Sequence, residues 1–340
     1  KVTLRDAVAR LLFLAGLTLP GRRGRGQLSI VTLHRVLPDA ERRVYPYPGL
    51  VVTPHEFDVL LTYLTQHFDC GTLAAQHWRQ LGGERPPRPL LALTLDDGQH
   101  DNYRYARPLL ANHEVKATFF VPVAAIERRE LLWHDRLGFA VQALLGGAGG
   151  GQEQLMQILA EAGLSVRGPR GPAQTAVQEA KRLAVGARMR LVEALAAATA
   201  PAQPPEFARL MTFDELAELA GDGHEIGSHS MTHCMMPQCD DRELAYELSE
   251  SRRVLQARVS QPIESFCYPN GDFDARTAGA VARAGYRRAV TTRWGLNSPG
   301  ADPFRLRRCD VDYERVRDSS GRLVPAVLAL RMSGFHFGLR

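Results

Sequence analysis

The chain has 340 residues, of which 45% are hydrophobic and 23% charged, a composition typical of folded globular proteins and not of disordered or fibrous ones. Its formal net charge of +5 favours anionic partners, but no basic and aromatic interleaving accompanies the charge, so we expect no nucleic acid partner. Five scattered cysteines without CxxC spacing indicate neither a disulfide framework nor a zinc ribbon, and the cytoplasm is the expected compartment.

Residues 1–27 are predicted to form a basic N-terminal arm with a short helix. Residues 1–43 carry nine Lys or Arg against three acidic residues. The apolar run 11–19 is too short to span a bilayer, and no convincing cleavage site follows it, which favours a docking helix over a signal peptide. A solvated arm is the main interpretation of the charge. Peripheral contact with a membrane is the alternative, and an exported or membrane-bound precursor stays open.

From residue 28 onward, strand-like and helical patterns alternate, which predicts a parallel sheet of βα units. The predicted strands are 28–34, 90–95, 117–121, 224–229, 265–269, 287–292 and 305–311. The predicted helices between them are 54–67, 102–112, 213–221, 240–259 and 275–284, two of which open with capping boxes at Thr53 and Thr212. Seven strands exceed a small doubly wound sheet, so we expect an α/β protein with a distorted (β/α) barrel.

Residues 141–205 break this alternation. They are rich in Ala, Gly and Gln, with helical stretches at 152–162 and 176–199. We interpret them as a helical insertion, an amphipathic hairpin or lid, within a single barrel domain of residues 28–340.

Polar residues follow the predicted strands at the point where each strand ends. In α/β barrels the carboxyl ends of the strands meet at one rim, where catalytic groups gather, so these side chains are expected to lie together. The residues at these strand ends are His34, Asp96, Asp97, His229, Tyr268, Pro269 and Arg308.

The residues at two of these strand ends suggest a metal site. His229 and His233 have the i, i+4 spacing of metal ligands, and Asp96 and Asp97 are adjacent carboxylates after an apolar strand. One carboxylate could join the histidines as a third ligand, while the other accepts a proton from water activated at the ion. Without a cation, two neighbouring carboxylates in an apolar pocket would repel each other. A divalent metal is therefore expected, with zinc as the default and iron, cobalt or nickel as alternatives.

Three short motifs resemble those of a known family. TLDDG (94–98), HSMTH (229–233) and FCYPNG (266–271) are similar to successive motifs of the polysaccharide deacetylase family, the carbohydrate esterase group with a NodB homology domain. The resemblance covers residues 28–35 and 90–310, without the insertion. It implies a distorted (β/α) barrel that removes acetyl groups from an N-acetylated carbohydrate, a hexosamine-containing glycan or glycolipid.

The resemblance also implies roles for individual residues. Asp96 would be the general base, and Asp97, His229 and His233 would bind the metal. A backbone N–H near Asn270 would help the metal to stabilise the tetrahedral intermediate.

The third motif departs from the family pattern. Cys267 stands where an arginine often orients the base, and Asn270 replaces a tyrosine. Arg308 or Arg307, near another strand end, could take the place of that arginine; a surface arginine is the alternative.

The general acid is the second departure. The family expects a late Leu-x-His histidine, and the C-terminal region offers only His336. His34 ends the first predicted strand, as in a circularly permuted branch of the family, so His34 is the candidate acid. A histidine that is merely hydrogen-bonded at the barrel rim is the alternative.

The predicted substrate contacts are weaker. Tyr268 and Pro269 lie at a strand end, Trp294 could stack on a sugar face or be buried, and His134 could line the substrate groove. The expected activity is metal-dependent carbohydrate N-deacetylation. A non-haem iron oxygenase, a catalytically silent glycan-binding protein and a cyclic-amide hydrolase stay open, as do the sugar identity and the oligomeric state.

Overall fold

The computed structural model describes residues 3–20, 26–147, 150–164, 171–199, 204–311 and 315–333. Within these ranges the strands are β1 (Leu28–Leu33), β2 (Arg35–Val36), β3 (Val51–Val52), β4 (Asp69–Gly71), β5 (Leu90–Leu95), β6 (Thr118–Val121), β7 (Glu225–Ser228), β8 (Ser265–Cys267), β9 (Arg288–Trp294) and β10 (Leu306–Asp310). The helices are α1 (Leu4–Leu14), α2 (Asp39–Val44), α3 (Pro54–His67), α4 (Leu73–Leu81), α5 (Arg107–Asn112), α6 (Val123–Arg128), α7 (Trp133–Gly146), α8 (Gly151–Glu161), α9 (Pro172–Ala180), α10 (Val185–Ala198), α11 (Phe213–Gly221), α12 (Asp241–Arg258), α13 (Ala275–Arg283) and α14 (Pro325–Ser333).

Seven parallel strands close into a barrel. β5 to β10 follow one another around the sheet, and β1 pairs with both β10 and β5, which completes the ring. Every residue of β1 and β5 is buried, because a strand of a parallel sheet is covered on both faces. The predicted distorted (β/α) barrel of about seven strands is confirmed.

Short elements were missed by the sequence analysis. β4 pairs with the first half of β5, and the two-residue strands β2 and β3 form a separate ladder. These strands have three residues or fewer, so they carry no alternating pattern that a sequence could reveal. Both predicted capping boxes are present, because Thr53 and Thr212 each accept the backbone N–H three residues on.

The predicted insertion packs as a small helical layer on one side of the barrel. Helices α7 to α10 surround a separate apolar core that also contains Tyr45 and Tyr47. The predicted boundary at residue 141 falls inside α7, and the predicted helix 176–199 is wrong, since α9 and α10 are separated by a turn at residues 181–184. The turn lets both helices pack against α7.

The N-terminal segment docks onto the C-terminal helix. Ala9 of α1 is buried with Ala326, Val327 and Leu330 of α14, and the Asp6 carboxylate accepts the N–H of Ser319 at 2.9 Å. The helix spans Leu4–Leu14 and so begins earlier than the apolar run suggested. Residues 21–25 of the predicted arm lie outside the described residues, and the domain division at residue 27 stays a prediction. None of the described helices is long and apolar enough to cross a membrane.

The contact between α7 and Tyr47 yields a test of the fold. A Cβ at Gly138 would overlap the Tyr47 hydroxyl and Pro46, whereas a Cβ at Gly146 of the same helix would meet nothing. We expect Gly138→Ala to lower the free energy of unfolding by about 1–3 kcal/mol through overpacking. The control Gly146→Ala should change it by less than about 1 kcal/mol and in the stabilising direction. Urea unfolding followed by circular dichroism measures both, and equal effects would contradict the packing of α7.

Candidate active site

Asp97, His229 and His233 surround one point at the carboxyl rim of the barrel. The Nε2 atoms of His229 and His233 lie 3.4 and 3.3 Å from Oδ1 of Asp97. All three residues are buried, and their candidate ligand atoms lie within 4.8 Å of one another. His229 donates its Nδ1 hydrogen to the carbonyl of Cys267 at 2.8 Å, so Nε2 is the ring nitrogen that faces Asp97. The donor set therefore fits a divalent metal.

The backbone around the Asp97 cluster adopts conformations that residues other than glycine rarely adopt. Asp97, Ser230, His233 and Asn270 all have φ between 56° and 74°, in the left-handed region. Such conformations cost of order 1–3 kcal/mol each and persist where surrounding contacts impose them. The concentration of these residues at one rim indicates a functional site.

The loop between the two histidines is held by hydrogen bonds to its backbone. The Ser230 hydroxyl accepts the N–H of His233 at 2.9 Å. Glu247 of α12 accepts the N–H groups of Met231 and Thr232 at 2.8 and 2.9 Å, and the Thr232 hydroxyl donates to it as well. Glu247 was not predicted from the sequence, although its position between Leu244 and Leu248 on the buried face of α12 was a usable signal.

Asp96 is held in a buried ion pair with Arg308. Two guanidinium nitrogens of Arg308 donate to the two carboxylate oxygens of Asp96, each at 2.8 Å, and both side chains are buried. Burial opposes ionisation, but the guanidinium outweighs it and holds the pKa of Asp96 below its usual value. Asp96 is therefore an ionised carboxylate at neutral pH.

The alternative arginine does not reach Asp96. Arg307 is exposed, as its position next to Arg308 on a strand requires. A register irregularity between β9 and β10 lies beside Arg308, and the carbonyl of Thr291 there accepts the Nε hydrogen of Arg308 at 2.8 Å. Arg308 thus lies close to Cys267, the position at which the third motif of the resembled family often has an arginine.

Two overlapping clusters could in principle hold a metal. Asp96, His229 and Cys267 also have candidate ligand atoms within 4.8 Å. Both oxygens of Asp96 are engaged by a guanidinium, and burial raises the pKa of the Cys267 thiol, which keeps it protonated. A cation there would lie against Arg308, so the cluster around Asp97 is the better metal site.

The electrostatics of the Asp97 cluster suit metal binding. Burial opposes the charge of Asp97, but hydrogen bonds from His229 and His233 hold its pKa well below the usual range. Burial disfavours a charged imidazole at His233 and lowers its pKa to about 4. At neutral pH the Asp97 carboxylate and the neutral His233 ring are in the forms that bind a metal ion. Burial opposes a charged ring at His229, but the neighbouring Cys267 and Asp97 hold its pKa well above the usual value, so a metal ion would displace a proton from this ring.

These groups open into a cavity of about 390 Å³, a volume within the range of ligand pockets. His34, at the end of β1, lines it and is half-buried, with its carbonyl accepting from Asn102. His134 also lines it and is a third imidazole near the cluster, its Nε2 3.9 Å from Oδ2 of Asp97. Tyr268 and Asn270 of the third motif also line the cavity.

Not every predicted residue reaches this cavity. Among the described residues that line it, neither Pro269 nor Trp294 is present; Trp294 lies half-buried at the end of β9. The Tyr268 hydroxyl donates to the carbonyl of Phe304 at 3.0 Å. His336 lies outside the described residues. The roles assigned to these residues stay predictions.

A larger cavity of about 1440 Å³ lies elsewhere, between α6, α7, α10 and α11. None of the predicted catalytic or metal-binding residues lines it. The smaller cavity is the candidate active site because it contains the clustered titratable groups.

Comparison with known proteins identifies relatives of the chain. The family model of polysaccharide deacetylases matches residues 83–183 and 193–289, more than half of the chain. The curated "Putative polysaccharide deacetylase YxkH" of Bacillus subtilis (strain 168) is 26% identical over 101 residues, which are 30% of this chain and 36% of that protein.

Solved structures share the fold. The deacetylase PplD of Streptococcus pyogenes, in complex with acetate, superposes with a TM-score of 0.58 at 18% identity over 90% of this chain and 98% of that one. IcaB from Ammonifex degensii has a TM-score of 0.56 at 16% identity over 91% and 97% of the two chains. The chain therefore has the barrel architecture of these proteins.

The Asp96–Arg308 ion pair predicts a pH-dependent loss of stability. In Arg308→Met, burial of Asp96 is no longer offset, so its folded-state pKa should rise above the unfolded value near 3.9. Ionisation then opposes folding, and the loss of unfolding free energy should grow as the pH rises above about 4, to about 3–5 kcal/mol at pH 7. Urea unfolding at pH 4 and pH 7 measures this difference.

The control for that experiment is Arg305→Met, which removes a half-exposed arginine paired with Asp302. This variant should lose less than about 1 kcal/mol of unfolding free energy at both pH values. A pH-independent loss in Arg308→Met would show that the arginine does not determine the pKa of Asp96.

Proposed function

Since the chain belongs to the polysaccharide deacetylase family, we propose that it is a metal-dependent hydrolase that removes acetyl groups from an N-acetylated hexosamine of a glycan or glycolipid. One observation carries the proposal: a buried cluster of Asp97, His229 and His233 lies beside an aspartate that Arg308 keeps ionised, and all of these residues line one cavity. The matched region of the curated relative spans about a third of that protein, so the activity and substrate rest on the site itself.

Asp97, His229 and His233 would hold the ion, with zinc as the expected metal and iron, cobalt or nickel as alternatives. When bound, the ion lowers the pKa of water and polarises the amide carbonyl. Asp96 accepts the proton of the attacking water, because its carboxylate is ionised and lines the cavity. Arg308 orients that carboxylate through two parallel hydrogen bonds.

His34 donates a proton to the amine that leaves. It lies at the end of β1, next to β5 in the barrel, and lines the same cavity as Asp96 and Asp97. The neighbouring Arg35 is buried and paired with Asp101 at 3.2 Å, which supports a defined position for the backbone of His34. The acid and the base thus face the substrate from neighbouring strands.

The ion-paired Asp96 argues against the rival functions. An oxygenase site of two histidines and one carboxylate has no use for a second, buried carboxylate that needs an arginine partner. The case for a silent glycan-binding protein rested on the missing arginine of the third motif, and Arg308 supplies a guanidinium at that point.

Loss of the base should separate turnover from metal binding. We expect Asp96→Asn to lower acetate release from acetylated hexosamine oligomers by about 10²-fold or more, because the general base is lost, while the metal content is kept. Asp97→Ala should lose the metal as well. Acetate assays and elemental analysis of the purified variants measure both. Asp241→Asn, an exposed aspartate paired with Arg276, is the control and should retain both properties. Metal-loaded protein that releases no acetate from any acetylated glycan would refute the proposal.

We also propose that α1 contacts the surface of an anionic membrane. Leu4, Leu11 and Leu14 are 77%, 69% and 84% exposed and follow one another on the face of α1 that points away from α14. An exposed apolar stripe of this kind, in a helix that also carries Arg5 and Arg10, is typical of helices that lie in the headgroup region.

Vesicle flotation tests this contact. The protein should float with vesicles that contain phosphatidylserine and should do so less with pure phosphatidylcholine or at high salt, because the cations near α1 are then screened. Leu11→Ser with Leu14→Ser should reduce flotation at least about fivefold, since two apolar side chains no longer enter the lipid. Leu81→Ser, at a 58% exposed leucine of α4, is the control. Flotation that is unchanged in the double variant would refute the contact.

A further inference from the structure

Two buried cysteines lie in contact directly after the histidine loop. The Sγ atoms of Cys234 and Cys239 are 3.1 Å apart, and the two residues are 3% and 5% exposed. All five cysteines of the chain are free thiols in the structure. An S–S bond is about 2 Å long, so these two sulfur atoms need to approach by only about 1 Å to form one. This contact was not predicted from the sequence, in which the cysteines are scattered without CxxC spacing.

A tight turn brings the two thiols together. The segment between them contains a short 3-10 helix, Met236–Gln238, with a proline near its start. The N–H groups of Gln238 and Cys239 donate to the carbonyls of Met235 and Met236 at 2.9 and 3.2 Å. The two cysteines therefore face each other through local backbone structure, and no distant element has to move to bring their sulfur atoms together.

Two arginines from separate helices hold this turn in place. Arg188 of α10 is 1% exposed, and its Nη1 donates to Sδ of Met235 at 3.2 Å and to Oε1 of Gln238 at 3.3 Å. Arg276 of α13 donates from Nη2 to the carbonyl of Cys239 at 2.8 Å. Because the turn is ordered before any bond forms, closing a disulfide costs little further conformational entropy. Two thiols held in this way react with each other at a high effective concentration.

The cysteine pair is attached to a candidate metal ligand. Cys234 directly follows His233, whose Nε2 lies 3.3 Å from Oδ1 of Asp97. His233 has a left-handed backbone with φ of 56°, and its N–H donates to the Ser230 hydroxyl, so this residue has little freedom to adjust. A shift of Cys234 toward Cys239 is therefore transmitted to the ring of His233. Metal–ligand distances tolerate deviations of only about 0.2 Å.

We propose that Cys234 and Cys239 are a covalent modification site: they form a reversible disulfide, and this bond weakens metal binding at Asp97, His229 and His233. The disulfide itself does not depend on the proposed deacetylase function, whereas its effect on the metal rests on that function. The oxidation state of the surroundings thereby controls how much of the protein carries its metal.

The oxidant is a low-molecular-weight disulfide such as glutathione disulfide. Cys239 lies between the exposed residues Gln238 and Asp240, so local opening of the turn exposes its sulfur. The Cys239 thiolate attacks one sulfur of the oxidant, which releases one thiol and leaves a mixed disulfide. The Cys234 thiolate then attacks the Cys239 sulfur and releases the second thiol. The two protein thiols give up two electrons and two protons, which the oxidant takes up as it becomes two thiols.

Thiol titration and peptide mapping test the bond. In an equimolar mixture of reduced and oxidised glutathione, we expect more than half of the wild-type protein to lose two of its five thiols. Mass analysis of the acid-quenched, alkylated protein should place the bond between Cys234 and Cys239. Cys70→Ala, at a half-buried cysteine outside the pair, is the control and should also lose two thiols. Cys234→Ala should form no disulfide within the chain. Retention of all five thiols in the wild-type protein, or a bond to another cysteine, would overturn the site.

Zinc binding tests the coupling to the metal. We expect the zinc dissociation constant of the oxidised protein to be at least about tenfold that of the reduced protein, because His233 leaves its position. The double variant Cys234→Ala with Cys239→Ala should bind zinc equally after either treatment. Competition with a chromophoric chelator, after glutathione is removed, measures these constants. Equal constants for the oxidised and reduced wild-type protein would overturn the coupling. Two zinc ions per reduced wild-type chain but one in the double variant would also overturn it, because the thiols would then be metal ligands themselves.

A failure of this inference can be told apart from a failure of the deacetylase proposal, because neither experiment requires turnover. Protein that forms the bond and then loses zinc affinity, but releases no acetate, would support the modification site and refute the deacetylase. Protein that releases acetate, but binds zinc equally with and without the bond, would support the deacetylase and overturn the coupling.

Discussion

The buried ion pair between Asp96 and Arg308 is the constraint on which the site depends. Two adjacent carboxylates at the end of a buried strand are tolerable only if each has its own positive partner. Arg308 serves Asp96 through two hydrogen bonds of 2.8 Å, and the two imidazoles facing Asp97 provide a place for a cation. Since buried pairs of this kind seldom stabilise a fold better than apolar residues would, their presence here is better explained by chemistry than by stability.

The closure of the barrel makes this pair possible. Asp96 directly follows β5 and Arg308 lies in β10, the last strand, with β1 between these strands in the sheet. The irregular register between β9 and β10 provides a carbonyl of Thr291 for the same arginine. The left-handed backbone of Asp97, His233 and Asn270 lies at the same rim, where Glu247 of the neighbouring α12 accepts backbone N–H groups of the histidine loop. Contacts from distant parts of the chain therefore hold the strained backbone of this small site in place.

The helical insertion completes the cavity. Without α7 and α9 the carboxyl rim would be open on the side of His134 and Lys181. The barrel provides the groups suited to hydrolysis, and the insertion provides amides and a cation that face them. Variation in such an insertion can change the lining of the cavity without any change at the barrel rim, because the two sets of residues lie on separate elements.

The sequence by itself determined the order of the seven barrel strands, two capping boxes, and the residues at the strand ends, because these depend on local hydrophobic periodicity and short motifs. It also limited the candidate metal ligands to four residues, because His229 and His233 have i, i+4 spacing and Asp96 and Asp97 follow the same strand. It could not choose between Arg307 and Arg308, because adjacent strand residues face opposite sides and a bulge changes which side is inward. Three features were decided only by the tertiary structure: the contact of Glu247 with the histidine loop, the position of α9 beside the cavity, and the absence of Trp294 from the cavity lining. Each depends on how elements far apart in the chain pack together.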